Sequence, residues 1–261
     1  MRLHLFEFED LAWFPDVIRT GGTDYLRYFL KYTSLYEPVA PLIYDMLRQT
    51  GQSSVIDLCS GAGGSIEETF KAVNKLSGRK VQFLLTDKFP NTEAYAHISK
   101  ATANDVQGMD EPVDAMNVPA AIDGVRVMFS AVHHFRPGGV KAVLKNAVDN
   151  NKAIGLFDGG DKNIFSILGI LVLHPIAFVL LTPFFKPFKL SRLLFTYIIP
   201  LIPLYTIWDG CVSILRLYKP KELLSIANAL DAAHYTWQCG KLKNRWGLHV
   251  TYLTGVPKIN L

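Results

Sequence analysis

The stretch Val55–Gly64, VIDLCSGAGG, runs an apolar segment into a glycine-rich turn and sets one carboxylate, Asp57, near its end. Glycines at such a turn let a backbone come close to a ligand. A carboxylate at the end of a buried strand is costly unless it meets donors, and the ammonium of a bound amino-acid moiety is a suitable partner, directly or through water. Gly61 and Gly63 satisfy the first half of a dinucleotide-type GxGxxG pattern, but Ile66 stands where the third glycine belongs. Outward from this point, short apolar strand candidates at 54–58, 81–86, 125–130, 153–157, 234–240 and 248–255 alternate with helical stretches. That alternation predicts an α/β fold with a mostly parallel sheet. Only residues 241–247 separate the last two strands, too few for a crossover helix, so the sheet is expected to end in an antiparallel hairpin.

The chain has 261 residues, enough for one enlarged domain, and its 49% hydrophobic content supports a sizeable core. Twenty-seven basic against 23 acidic residues leave a charge of +4 with no long Lys/Arg block, which argues against a nucleic-acid partner. Cys59, Cys211 and Cys239 are odd in number and far apart, forming neither a CxxC pair nor a disulfide framework, which points to a reducing cytoplasm. The N-terminus turns acidic before any apolar core develops and does not read as a secretory signal. Residues 1–50 carry aromatic-rich helical patterning, with Tyr25, Tyr28, Tyr32 and Tyr36 expected to pack a helix onto the core.

VIDLCSGAGG resembles the first motif of the class I S-adenosylmethionine-dependent methyltransferases, an apolar strand, an acid and a glycine-rich loop, with Cys59 in place of the more common first glycine. The likeness extends over most of residues 50–160 and resumes at about 209–257. It implies a Rossmann-like seven-stranded sheet with the antiparallel C-terminal hairpin, and S-adenosyl-L-methionine as cofactor. By the same resemblance Asp57, Cys59, Gly61, Gly63 and Ser130 belong to the cofactor site. Asp87, at the end of the second strand, would accept from the ribose hydroxyls, although NAD enzymes place an acid there too. Asp114 would accept from the adenine amino group and Ala115 supply a backbone donor.

After strand 125–130, the segment Val132-His133-His134-Phe135 resembles the His-His-aromatic stretch that the family sets beside the cofactor sulfur. His133 is the candidate base or substrate contact, and His134 is expected to be structural. Transfer from a sulfonium needs little acid–base help, so in-line positioning is expected to dominate. No metal is expected, since the histidine pair has neither an HExxH arrangement nor cysteines nearby. Asp158 is a candidate acceptor contact; Asp209 and Arg216 are expected to pair with each other, with Asp209, Arg216 and Tyr218 holding a polar acceptor head as the alternative.

Residues 164–185, IFSILGILVLHPIAFVLLTPFF, approach membrane-span length without a formal charge, and 193–208 form a second apolar run. Pro175 interrupts the first run, and Pro200 and Pro203 the second. A double crossing would also leave the basic connector on the far side of the membrane, against the positive-inside tendency. The favoured expectation is a helical hairpin dipping into one leaflet, with Lys186, Lys189 and Arg192 snorkelling to anionic headgroups. A lid or a dimer interface is the alternative.

The organisation expected is an N-terminal helical cap at 1–50, a methyltransferase domain at 51–162 and 209–261, and the insertion at 163–208. The arrangement resembles a bacterial group of class I methyltransferases with a hydrophobic insertion. The resemblance leaves the acceptor open; taken with the apolar insertion, the expected activity is methyl transfer to a hydrophobic or amphipathic small molecule, lipid or quinone-like, at the inner face of the membrane. A nicotinamide-dependent oxidoreductase and a non-catalytic membrane-docked module remain as rivals.

Overall fold

The computed structural model describes residues 2–185 and 188–258. Strands β1 (Ser54–Leu58), β2 (Gln82–Thr86), β3 (Val106–Gly108), β4 (Val125–Phe129), β5 (Ile154–Gly159), β6 (Tyr235–Lys243) and β7 (His249–Pro257) form one seven-stranded sheet in the order β3-β2-β1-β4-β5-β7-β6. The first five run parallel, while β7 is antiparallel to both β5 and β6. The mostly parallel sheet and its C-terminal hairpin are as the sequence predicts. β3 was not among the strand candidates, because three residues are too few to display a period.

Helices cover both faces, which is why the parallel strands read as continuous apolar runs. The helices are α1 (Asp16–Thr33), α2 (Ala40–Thr50), α3 (Ile66–Ser77), α4 (Thr92–Ala101), α5 (Pro137–Asp149), α6 (Ile164–Leu181), α7 (Leu190–Leu193), α8 (Leu201–Arg216) and α9 (Pro220–Asn228). On one face Ile43 and Met46 of α2, Val73 of α3 and Ile98 of α4 meet Val55, Phe83 and Val127. On the other, Val140 and Leu144 of α5 and Leu223 of α9 meet Ile56, Leu58 and Met128. Successive β1 residues thus feed opposite cores, as the two-residue period of a strand requires.

The insertion is built differently. Phe14, Ile18 and Tyr25 of the N-terminal region form a separate apolar cluster with Phe178, Phe185, Ile202 and Tyr205. α1 and α8 approach so closely that a Cβ on Gly22 would lie 1.7 Å from the Tyr205 hydroxyl. Tyr25 stacks on Phe178 with ring centroids 3.9 Å apart, and Tyr28 on Phe185 at 4.5 Å, so both pack on the insertion rather than on the sheet core. Tyr32 is 68% exposed instead.

Three expectations for the insertion need correction. Pro175 lies inside α6 without ending it, the loss of one backbone hydrogen bond being tolerated there. The second run does not stop near Trp208, because α8 carries the WDG segment on to Arg216 as continuous helix. Arg192 does not snorkel: its side chain is 2% exposed, and its guanidinium donates to Asp24 of α1 and to the Phe185 carbonyl. A buried guanidinium is stable only when so paired. Lys189 also lies 3.7 Å from Asp24, while Lys186 falls outside the described residues.

Segment Ile164–Phe184 is long and apolar enough to cross a membrane, with a mean hydropathy of 2.6 and only 6% of its window buried. The segments Leu190–Ile198 and Leu201–Arg216 form a pair bent by 78° around Ile199 and Pro200. A sharp bend at proline has a local cause in the lost donor and the ring clash.

Candidate functional site

A cavity of about 940 Å³ opens where β1, β4 and β5 end, roofed by α1 and α6. The C-terminal edge of a parallel sheet, at the point where strand order reverses around β1 and β4, is the usual ligand crevice of such folds. Its volume is at the upper end of the range for small-molecule sites, about 300 to 1,000 Å³.

The floor is the β1 turn. Cys59 has φ +59°, and Gly61, Gly63 and Gly64 have φ +52°, +84° and +42°. The left-handed conformation at Cys59 is one that glycine adopts most readily. Gly63 has a second constraint, because a Cβ would stand 2.1 Å from Ile98 Cδ1. Asp87, arriving from β2, fastens this loop: its Oδ2 accepts from the Gly61 N–H at 2.8 Å and its Oδ1 from the Phe89 N–H at 2.8 Å. Each carboxylate oxygen keeps a lone pair for a further donor.

Asp57 lies beneath the loop, lines the cavity and is buried, and its Oδ1 has no hydrogen-bond partner. Burial pushes its carboxyl up to about 8, with the nearby Asp87 charge adding to the shift. An orphaned carboxylate oxygen on the wall of a ligand-sized cavity fits a cationic donor such as an ammonium.

Ser130, also at positive φ (+50°), closes the β4 end. Its hydroxyl is bonded to Tyr36 OH, which accepts from the Gly159 N–H at 3.0 Å. Tyr36 therefore ties the ends of β4 and β5 together, and burial raises its phenol far above the ordinary range. Helical spacing alone had assigned Tyr36 only to packing.

The next turn carries the chemistry. His133 lines the cavity, and its Nδ1 stands 3.0 Å from Asp158 Oδ1, both side chains being buried. With Asp158 on Nδ1, the other ring nitrogen, Nε2, is the acceptor-capable atom. Asp158 itself is not on the cavity wall. It touches the histidine rather than the space a substrate would fill.

Other expected site residues are engaged elsewhere. Asp114 and Ala115 lie off the cavity: Asp114 accepts from Met116 N–H at 2.9 Å and pairs with Lys88 at 3.0 Å, and Ala115 is buried. Their segment is nonetheless anchored next to Asp87, since the Val113 N–H donates to the Asp87 carbonyl at 2.8 Å.

Asp209, Arg216 and Tyr218 also fail to reach the wall, and the expected Asp209–Arg216 pair does not form. Asp209 instead caps the N-terminal turn through Phe8 and Glu9 N–H groups at 2.8 and 3.0 Å. Arg216 is buried against Glu7 and Asp10, at 3.2 and 2.7 Å. The Tyr218 hydroxyl donates to the Phe135 carbonyl at 2.8 Å, under the Arg2 guanidinium. For Asp209 and Arg216 the physical reason is shared: residues 2–10 lie across α8 and take up its polar groups, a long-range contact with no local sequence signal.

That strap adds Glu7, a wall residue absent from the sequence-based set. It is 1% exposed, and burial pushes its carboxyl up to about 7 despite the opposing charges of His134 and Arg216. Glu7, His133 and His134 each bring one ligand-type atom within 4.8 Å of the others, a grouping that spacing could not reveal. Arg216 stands 3.2 Å from Glu7, and His134 Nδ1 is 2.8 Å from Asp10 and 3.3 Å from Glu7. His174 of α6 was likewise unforeseen: it lines the cavity, its Nδ1 has no partner, and burial lowers its imidazole to about 4.

No protein-family model matches the chain, and no curated protein matches it in sequence. Solved structures do. The O-methyltransferase NcsB1 from neocarzinostatin biosynthesis, in complex with S-adenosylmethionine and 2-hydroxy-5-methyl naphthoic acid, matches with a TM-score of 0.53 and 13% identity over 92% of this chain and 59% of its own. The pyocyanin biosynthetic protein PhzM matches with a TM-score of 0.50 and 11% identity over 86% of this chain and 56% of its own. This chain thus spans less than two thirds of either protein's length. The likeness is one of fold, and it is the fold of the S-adenosylmethionine-dependent methyltransferases.

Proposed function

We propose that this chain is an S-adenosylmethionine-dependent methyltransferase that methylates a hydroxyl of a hydrophobic or amphipathic small molecule at a membrane surface. The observation that carries the reading is the shared cavity: the orphaned Asp57 carboxylate and His133, backed by Asp158, open on one space at adjoining strand ends. The cofactor, when bound, supplies an electrophilic methyl group on a sulfonium.

In this reading Asp57 accepts from the cofactor's ammonium, and Gly61 and Gly63 let the backbone come close. Asp87 takes the ribose hydroxyls. Asp114 and the Ala115 backbone hold the adenine at the outer margin, beyond the enclosed cavity. Cys59 and Ser130 shape the walls, both through left-handed backbone. His133 Nε2 accepts the proton of the acceptor hydroxyl while Asp158 fixes the ring and stabilises its charged form, the division of labour seen in other His–Asp pairs. In-line positioning and exclusion of water supply the remainder. Asp158, Asp209, Arg216 and Tyr218 act by orienting the walls rather than by touching substrate.

Residues 163–208 serve as the membrane-facing insertion, 1–50 as the cap, and 51–162 with 209–261 as the catalytic domain. Large exposed side chains along α6, including Phe165, Val172, Val179 and Leu180, support docking at the inner face of a membrane from the cytoplasm. The direct test is mass spectrometry of lipid and metabolite extracts incubated with the protein and isotopically labelled methyl donor. Label on an oxygen of an apolar compound is the expected result; no labelled product from any extract rejects the reading.

A further inference from the structure

Resting on the reading of the cavity as a methyl-transfer site, we infer that the acceptor is a long-chain amphiphile whose tail lies in a side arm between α1 and α6 and enters through the apolar rim of that arm, away from the glycine loop. The wall chemistry is divided in this sense. Around Asp57 and Asp87 it is polar backbone and carboxylate, whereas the α1–α6 side is mostly apolar, lined by Phe29, Leu30, Ile170 and Ala177 with Ser166 and His174 among them.

The rim of the arm is apolar too. Leu26, Phe165 and Leu173 line the cavity and are also 40%, 78% and 63% exposed. An aqueous mouth lined by three large apolar side chains is unfavourable unless something apolar covers it. The rim continues into the outer surface of α6, where Val172, Val179 and Leu180 are 57%, 56% and 62% exposed. α6 is therefore apolar on both its cavity side and its outer side, one helix thick between them. A chain sliding from a bilayer past this rim exchanges one apolar environment for another and never crosses water.

Gly169 marks the path. It lies on the cavity wall in the middle of α6, and a Cβ placed on it would meet nothing within 4 Å. No close packing calls for glycine at this position, and any larger side chain costs the arm its width. A helix interior ordinarily disfavours glycine relative to alanine, so the open space comes at some expense of helix propensity.

The test uses the full chain and two probes, 4-dodecylphenol below its aggregation concentration and phenol, with binding followed by calorimetry. Wild type is expected to bind 4-dodecylphenol at least tenfold tighter than phenol. Gly169→Leu should weaken the dodecylphenol complex at least tenfold, while Val179→Ser on the outer surface should not. Binding of S-adenosylmethionine by Gly169→Leu certifies its fold; should that be lost, Leu173→Lys at the exposed rim takes its place, with the same tenfold loss expected. Wild-type-like affinity for 4-dodecylphenol in a folded variant, or no preference over phenol, overturns the inference. Failure of the wild type to bind S-adenosylmethionine would instead strike the methyl-transfer reading itself.

Discussion

His133 Nδ1 and Asp158 Oδ1 stand 3.0 Å apart, joining the turn after β4 to the end of β5 inside the protein. Asp158→Asn preserves the size of the side chain but presents an amide donor or a neutral acceptor, so the imidazolium loses its partner charge. His133→Ala is expected to lower kcat by about a hundredfold, and Asp158→Asn by at least about tenfold, with KM for the methyl donor changed little in either. Equal activity in the folded His133→Ala variant would remove the base from the mechanism and leave positioning alone.

Asp57 gives a pH signature. With its carboxyl pushed up to about 8 by burial, the free protein holds the proton at neutral pH, whereas an ammonium ligand needs the carboxylate. Binding must therefore release a proton, and S-adenosylmethionine affinity should rise about tenfold from pH 6 to pH 7 before levelling near 8. For stability the sign is opposite: the group's contribution is whole below its unfolded value of 3.8 and is lost as pH rises through about 8. Calorimetry in buffers of different ionisation enthalpy checks the proton count, and Asp57→Asn should abolish it.

Asp87 accepts from two backbone donors and, in the proposed reading, also takes the ribose hydroxyls. Asp87→Ala is expected to weaken S-adenosylmethionine binding at least tenfold, about 1.4 kcal/mol. Unchanged affinity in a folded variant would reject the ribose assignment.

The buried Asp24–Arg192 pair fixes α1 to the insertion. Arg192→Met leaves Asp24 buried beside fewer donors and should cost about 3 to 5 kcal/mol in urea unfolding, whereas the Asp24→Leu/Arg192→Met double variant should recover most of it. No recovery in the double variant would show that packing, rather than charge, sets the cost.

Membrane attachment is expected to rest on apolar side chains more than on cations, because Arg192 is internal. Replacing Val172, Val179 and Leu180 together with serine should sharply reduce sedimentation with phosphatidylglycerol-containing vesicles, each burial contributing about 1.5 to 3 kcal/mol at most. Indifference of the intact protein to vesicles would favour a lid or a dimer contact for this surface.

The sequence by itself determined the sheet and the place of the ligand edge. Apolar runs at β1, β2, β4 and β5 and the short gap before β7 leave few topologies, and local rules of period and turn length are enough to read them. The glycine turn, Asp57, Asp87 and His133 were legible for the same reason, since each belongs to a strand end whose position the pattern fixes. Only the tertiary structure decided what meets what across long separations. It brought residues 2–10 onto α8, turned Asp209 and Arg216 away from the cavity, paired Asp158 with His133, tied Tyr36 to the ends of β4 and β5, and put Glu7 and His174 on the cavity wall. Those contacts join residues from 25 to more than 200 positions apart, and their partners depend on how helices pack in space, a property that no local window contains.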